Sequence, residues 1–145
     1  MKRKIYIIGS LRNANVPVIA KQLREAFPDW EFFDDWSAAG PHADDCWRDY
    51  EKARGHSYMQ ALDGHTAKHV FALDKYHLDT SDGAILVGPA GRSGHLELGY
   101  MAGKGNWTAI LLDDPERWDV MNQFASLVTD KLDHIIAQLR KEWKD

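Results

Sequence analysis

The sequence predicts an α/β fold of one domain, doubly wound around a parallel sheet of five strands. Short apolar runs, of which residues 84–87 are the clearest, alternate with longer segments whose apolar residues recur at helical spacing. Turns rich in glycine, proline and polar residues separate the runs from these segments. Such alternation is typical of a parallel sheet with helices on both faces. The length of 145 residues suits one domain, over residues 1–145, large enough to bury a substantial core.

The first unit of the chain is a strand, a turn and a helix. Residues 4–9 are predicted to form the strand, and residues 16–27 carry apolar positions at helical spacing, with Pro28 just after their end. The turn between them places Ser10 and Arg12 at the carboxyl end of the strand. A hydroxyl and a guanidinium there suit an anion, but the same pair is common in solvated surface turns, so this pattern alone assigns no site.

The second strand is predicted over residues 30–33, followed by a long loop or short helical insertion over residues 34–56. Loops of this length within a compact domain are usually functional or disordered. The insertion contains Trp36 and Trp47 and is rich in aromatic residues. These indoles suit the stacking of a planar ring beside a polar site. The alternative is that they pack the insertion onto the body of the domain.

Residues 57–80 are predicted to form one or two helices. Their apolar positions, expected to supply core contacts, are Ala61, Leu62, Val70, Phe71, Leu73 and Leu78. His65 and His69 lie four residues apart and could share a zinc ion, but no third ligand is evident, so we expect no metal site. Asp74 lies in the same segment, eight residues before Asp82.

The central unit, residues 82–105, consists of a strand, a glycine-rich loop and a helix. We predict Ser93 as the N-cap of this helix, which places Glu97 in the first turn, beyond the carboxyl end of a strand. Ligands of open α/β sheets bind at that edge. The helix dipole would keep a carboxylate there ionised, as covalent catalysis at a sugar carbon requires. Acidic residues are also common in first turns for structural reasons alone.

The remaining elements complete the sheet. A fourth strand is predicted over residues 107–112, a short helix and a weak fifth strand within residues 120–128, and an amphipathic terminal helix over residues 130–143. The rules for connecting parallel strands favour the strand order 2-1-3-4-5, which is typical of flavodoxin-like and Rossmann-like sheets.

Composition excludes several classes of function. A formal net charge of -4 argues against general binding to nucleic acid polymers, although a small anion needs only one arginine and a helix N-terminus. Cys46 is the only cysteine, so no internal disulfide can form. The apolar run after the basic residues 2–4 ends at Gly9, too early for a signal sequence, and no run is long enough for a membrane span. We therefore expect a cytoplasmic enzyme or binding protein with no membrane partner.

Three stretches together resemble one enzyme family. They are the strand and turn Ile5-Tyr6-Ile7-Ile8-Gly9-Ser10-Leu11-Arg12, the pair Asp74 and Asp82, and the segment Gly94-His95-Leu96-Glu97-Leu98-Gly99-Tyr100 with Gly103-Lys104. In order and spacing they are similar to the nucleoside 2-deoxyribosyltransferase family, including its nucleoside 5′-monophosphate N-glycosidase branch. The resemblance covers most of the chain.

The resemblance implies a role for each matching residue. Glu97 corresponds to the nucleophile that attacks the anomeric carbon, Asp74 to a second carboxylate that acts on the base and sugar, and Tyr6 to a tyrosine that positions the nucleophile. The implied substrate-binding positions are Gly9, Ser10, Arg12, Gly91, Ser93 and Gly94, with Trp36 or Trp47 flanking the base. Residues 9–12 look more like the branch that holds a 5′-phosphate. Gly91 departs from both branches, which have Asp or Ser there, so Ser93 or Arg92 would have to take over its role.

The resemblance also implies the partners. They are a nucleoside or nucleotide as substrate, with no metal or organic cofactor, and a second copy of the chain in a homodimer or larger homo-oligomer. A neighbouring subunit would contribute through the segment around Asn122. Three alternatives stay open: transfer to a second base against hydrolysis, a nucleotide-binding sensor without chemistry, and a flavin-binding or signalling domain of the same fold.

Overall fold

The computed structural model describes residues 2–143, whose strands form one parallel five-stranded sheet. The strands are β1 (Lys4–Ile8), β2 (Glu31–Phe33), β3 (Gly83–Val87), β4 (Trp107–Leu111) and β5 (Leu127–Thr129), in the order β2-β1-β3-β4-β5. The predicted fold class and strand order are confirmed. The domain predicted over residues 1–145 also includes Met1, Lys144 and Asp145, which lie outside the described residues.

Helices cover both faces of the sheet. They are α1 (Asn15–Ala26), α2 (Ala43–Ala53), α3 (Tyr58–Leu62), α4 (His65–Asp79), α5 (Arg92–Gly103) and α6 (Leu132–Glu142), with 3-10 helices at Asp35–Ala39 and Val120–Phe124. The segment predicted as a loop or insertion is thus a 3-10 helix followed by α2, and residues 57–80 form two helices. No helix within residues 2–143 combines the length and the apolar character needed to cross a bilayer.

Two apolar layers hold the sheet between the helices. Because side chains alternate along a strand, Ile5, Ile7, Ile85 and Val87 pack with α1 and α6, whereas Tyr6, Ile8, Ala84 and Leu86 pack with α4 and α5. The central strands β1 and β3 are buried along almost their whole length, as parallel strands covered on both faces must be. Each fully buried aliphatic side chain contributes about 1.5–3 kcal/mol relative to an exposed one.

The prediction of which residues of α3 and α4 face the core is largely wrong. Ala61 and Leu78 are buried, but Leu62, Val70, Phe71 and Leu73 are each more than half exposed. The reason is that α4 runs along the rim of an open cavity, which Val70, Phe71 and Leu73 line, so that this face has no packing partner among residues 2–143.

The sheet places the loops after β1 and β3 side by side. After β1 the chain crosses to β2 on one side of the sheet, and after β3 it crosses to β4 on the other side. Such a switch point opens a crevice at the carboxyl ends of β1 and β3. The Asn13 side-chain amide donates hydrogen bonds to the carbonyl oxygens of Gly88, at 3.1 Å, and Val87, at 3.3 Å. These bonds tie the two loops that form the crevice.

Candidate active site

A cavity of about 890 Å³ opens at the carboxyl ends of β1 and β3. Its volume lies in the range of about 300–1,000 Å³ that is usual for small-molecule sites. All of the residues predicted for a site line it: Tyr6, Gly9, Ser10, Arg12, Trp36, Trp47, Asp74, Gly91, Ser93, Gly94 and Glu97. The fold therefore brings together groups from five separate parts of the chain, although the role of each remains a prediction.

Tyr6 links the sheet to Glu97. Its ring is 1% exposed, packs at 5.1 Å from the Phe33 ring, and points toward the layer that contains α5. The Tyr6 hydroxyl lies close enough to the Glu97 carboxylate for each group to shift the pKa of the other. Burial, and the nearby charges of Glu97 and Asp74, raise the pKa of Tyr6. The phenol therefore stays protonated and faces Glu97 as a hydrogen-bond donor.

Glu97 lies deeper in its helix than expected. Gly91, in an extended conformation, is the N-cap of α5, so Ser93 is not the cap and Glu97 lies in the second turn. The expectation that the helix terminus keeps this carboxylate ionised is wrong, because the field of the dipole fades beyond the first turn. The pKa of Glu97 is raised to about 7: burial is the largest cause, the nearby Tyr6 hydroxyl opposes it, and the charge of Asp74 adds to it. Glu97 is thus divided between both protonation states near neutral pH.

Asp74 reaches the same space from α4. Its side chain is half-buried, and burial raises its pKa while the charge of His77 lowers it. The charge of Asp74 in turn raises the pKa of both Tyr6 and Glu97, which places the three groups in one electrostatic unit. Two carboxyl groups with raised pKa values at one cavity are suited to acid–base and nucleophilic work.

An exposed carboxylate fastens the two helices that carry these acids. Asp79, at the end of α4, accepts hydrogen bonds from the Tyr100 hydroxyl at 2.5 Å and the Lys104 ammonium at 2.8 Å, both of α5. Lys75 of α4 also donates to Asp79, at 2.8 Å. The three donors hold the pKa of Asp79 well below its usual range. Sequence reasoning missed this contact because its partners lie on different helices.

Trp36 and Gly9 form the floor of the cavity. The Trp36 indole Nε1–H donates to the Ile7 carbonyl at 2.7 Å, so its one polar atom is already used within the protein. A Cβ on Gly9 would lie 2.6 Å from Val16 Cγ2 and 3.4 Å from Trp36 Cη2, which explains why the turn after β1 has glycine there. Trp36 therefore packs the insertion onto the sheet and also lines the cavity.

Trp47 lies on α2 at another wall of the cavity. Its ring meets Tyr58 edge-on at 6.5 Å between centroids, which joins α2 to α3. Its Nε1 atom is buried without a hydrogen-bond partner among residues 2–143. This indole, too, serves packing and lines the cavity at the same time.

Arg12 is engaged by two carboxylates that the sequence reasoning did not single out. Its guanidinium donates to both oxygens of Asp44, at 2.9 and 3.2 Å, and to Asp45 at 3.2 Å. Ser10 Oγ accepts from the Arg12 backbone N–H at 3.2 Å. The two residues expected to hold a phosphate thus form an ion-paired turn. The only sequence signal for this was the Asp44-Asp45 pair within the insertion.

The described part of the chain has no group of three potential metal ligands. The pair His65 and His69 on α4 therefore gains no third ligand within residues 2–143.

The buried Glu97 predicts a pH-dependent stability. The folded-state pKa of Glu97 is about 7 against an ordinary 4.5, so between these values the folded chain binds more protons than the unfolded chain and loses stability as pH rises. Glu97→Gln removes this loss. We expect the variant to gain about 1–3 kcal/mol in unfolding free energy at pH 8 and almost nothing at pH 4.5, as measured by urea unfolding. Glu116→Gln, at an exposed position, is the control and should give no gain at pH 8. A gain from Glu97→Gln that is equal at both pH values would contradict this account.

The architecture is shared with solved structures of distant sequence. A conserved protein from Enterococcus faecalis V583 aligns with 12% identity and a TM-score of 0.67, covering 99% of this chain and 100% of the other. The CMP N-glycosidase BcmB from Clostridium botulinum aligns with 12% identity and a TM-score of 0.53, covering 94% of this chain and 98% of the other. No protein-family model and no curated protein matches the sequence. At this level of identity the similarity establishes the fold.

Proposed function

We propose that this chain cleaves or exchanges the N-glycosidic bond of a nucleoside or nucleoside 5′-monophosphate, as a member of the nucleoside 2-deoxyribosyltransferase family. The observation that carries the proposal is the meeting of Glu97, Asp74 and Tyr6, from three different elements, at one open cavity. The CMP N-glycosidase of the same fold supports this class of chemistry.

The residue types fit a two-step reaction. The ionised Glu97 carboxylate attacks the anomeric carbon, and the bond to the base breaks with its electron pair moving onto the base nitrogen. A proton from Asp74 neutralises the departing base. The Tyr6 hydroxyl holds one Glu97 oxygen so that the other faces the sugar. Water or a second base then attacks the anomeric carbon, and the bond to Glu97 breaks with its electron pair returning to the carboxylate. The proton of the attacking group passes to the Asp74 carboxylate, which restores the starting state.

A substrate panel tests the proposal. The purified protein is incubated with the common ribonucleosides, deoxyribonucleosides and their 5′-monophosphates, and free base is measured by chromatography. Release of base from at least one compound is the expected result. A competing free base then separates the two outcomes, because a transferase makes a new nucleoside whereas a hydrolase makes free sugar. Micromolar binding with no base released after long incubation would instead favour a nucleotide-binding sensor.

A homo-oligomer is part of the same proposal. Val70, Phe71 and Leu73 line the cavity yet are each at least half exposed, which leaves an apolar rim that a second copy could cover. Val120 and Met121, beside Asn122, are also exposed. We expect light scattering after gel filtration to give at least twice the mass of one chain. Phe71→Glu should shift this species toward the monomer, whereas Gln22→Glu, at an exposed position on α1, should not. A wild-type monomer at high concentration would exclude this part of the proposal.

A further inference from the structure

We propose that Asp44 is a specificity-determining residue that makes the site select a nucleoside with a free 5′-hydroxyl over the corresponding 5′-monophosphate. This inference rests on the proposed function, because it concerns which substrate enters the same cavity. It reverses the expectation that Ser10 and Arg12 hold a phosphate.

The first argument is that Arg12 is already occupied. Its two terminal nitrogens donate three hydrogen bonds, two of them in a bidentate pair with Asp44 and the third to Asp45. Planar bidentate pairing of this kind is the strongest geometry that a guanidinium forms with a carboxylate. The pair is half exposed, so solvent can compensate Asp44, but a phosphate that recruited Arg12 would have to displace this carboxylate and would lie beside a like charge.

The second argument is the charge of the cavity lining. Four acidic side chains line it, from Asp35, Asp44, Asp74 and Glu97, against the two guanidiniums of Arg12 and Arg92. Even with Asp74 protonated, as the proposed mechanism requires, the carboxylates outnumber the guanidiniums. A phosphate monoester carries about -1.5 to -2 charges at neutral pH. In a partly desolvated space, carboxylates repel such an anion strongly. The lining therefore disfavours a 5′-phosphate and accepts an uncharged nucleoside.

The third argument is that the pair can still recognise a hydroxyl. An ionised carboxylate has about four acceptor positions. Asp44 uses three of them, for the two Arg12 bonds and for the Asp45 backbone N–H at 2.9 Å. One position remains for an O–H donor, which would bind without disturbing Arg12. The Asp44–Arg12 pair thus leaves a position for a 5′-hydroxyl and disfavours a 5′-phosphate.

Arg92 is the other cation at the cavity. It is the first residue of α5, is exposed, and has no carboxylate within 4.0 Å among residues 2–143. One unpaired guanidinium does not offset the excess of acidic groups. Substitution of Arg92 nevertheless tests whether a phosphate binds at Arg92 instead of Arg12.

The test compares one nucleoside with its own 5′-monophosphate, using the base that is released fastest in the panel. We expect wild-type kcat/KM to favour the nucleoside by at least about tenfold. Asp44→Asn removes one negative charge and loosens Arg12, and should shift the ratio toward the monophosphate by about tenfold or more. Asp49→Asn is the matched control: it lies on the same helix, pairs with Arg48, and is outside the cavity. This control should leave the ratio unchanged.

Arg12→Gln separates the two roles of the arginine. If Arg12 only neutralises Asp44, the variant should bind the monophosphate no better than wild type and keep its preference for the nucleoside. A wild-type preference for the monophosphate that Arg12→Gln or Arg92→Gln abolishes would overturn the inference. Circular dichroism and thermal melting verify that each variant is folded.

The proposed function and this inference can fail separately. If base is released but the monophosphate is preferred, or if Asp44→Asn leaves the ratio unchanged, only the inference is lost. If no compound releases base, the proposed function is lost, and calorimetric affinities of the same two compounds for wild type and Asp44→Asn then decide the inference. Tighter binding of the nucleoside by wild type, weakened by Asp44→Asn relative to the monophosphate, supports it. Equal affinities in wild type would overturn it.

Discussion

Glu97→Ala is expected to reduce the rate of base release by at least about 1,000-fold, because the variant lacks the group that we propose as the nucleophile. Chromatography of the best substrate from the panel measures this loss. The wild-type rate should also rise with pH through about 7, as the buried carboxylate ionises, and this rise should be absent from the residual activity of the variant.

The stability of Glu97→Ala must be measured beside its activity. Removal of a buried carboxylate with a raised pKa costs the fold little at neutral pH, so the variant should melt close to the wild-type temperature. Glu97→Gln, which preserves shape and cannot attack carbon, is the conservative companion and should be equally inactive. Full turnover by either variant would remove Glu97 from the mechanism.

Asp74→Asn has the second largest expected effect. An amide cannot deliver a proton to the departing base, and loss of a general acid typically costs about 100- to 10,000-fold in rate. The loss should be much smaller for a nucleoside whose base leaves without protonation, such as a purine methylated at N7. This comparison distinguishes proton transfer from a merely structural role.

A second aspartate provides the control for Asp74. Asp63 precedes α4, is highly exposed, and pairs with Lys68 at 2.9 Å. Asp63→Asn should therefore leave the rates for both kinds of base unchanged. Equal losses for Asp74→Asn on normal and N7-methylated substrates would contradict its assignment as the proton donor.

The sheet could be predicted because its signals are local. β1 and β3 are continuous apolar runs, and parallel strands covered on both faces need such runs, so their existence and order followed from pattern and connection rules. The position of Glu97 could be predicted from topology, because the loop after β3 must lie at the carboxyl edge of the sheet. Asp74, however, lies within a helix, and only the resemblance suggested its role.

What the sequence could not show depends on contacts between distant segments. The start of α5 is decided by the extended backbone at Gly91, a difference of two residues that moves Glu97 from the first turn to the second. The raised pKa of Glu97 comes from burial, which no local pattern encodes. The ion pairs of Arg12 span more than thirty positions, and many Asp residues in the chain could have served equally well.

The contact of Asp79 with Tyr100 and Lys104 has a consequence for how this molecule responds to its surroundings. Asp74 and Glu97 belong to helices that are joined, on the solvent side, by a charge that dissolved ions can reach. Concentrated salt should weaken that attraction and loosen the relative placement of the two acids, which would slow the proposed release of base while the melting temperature stays unaltered. Ionic strength would then lower the rate through an ion pair that lies outside the cavity.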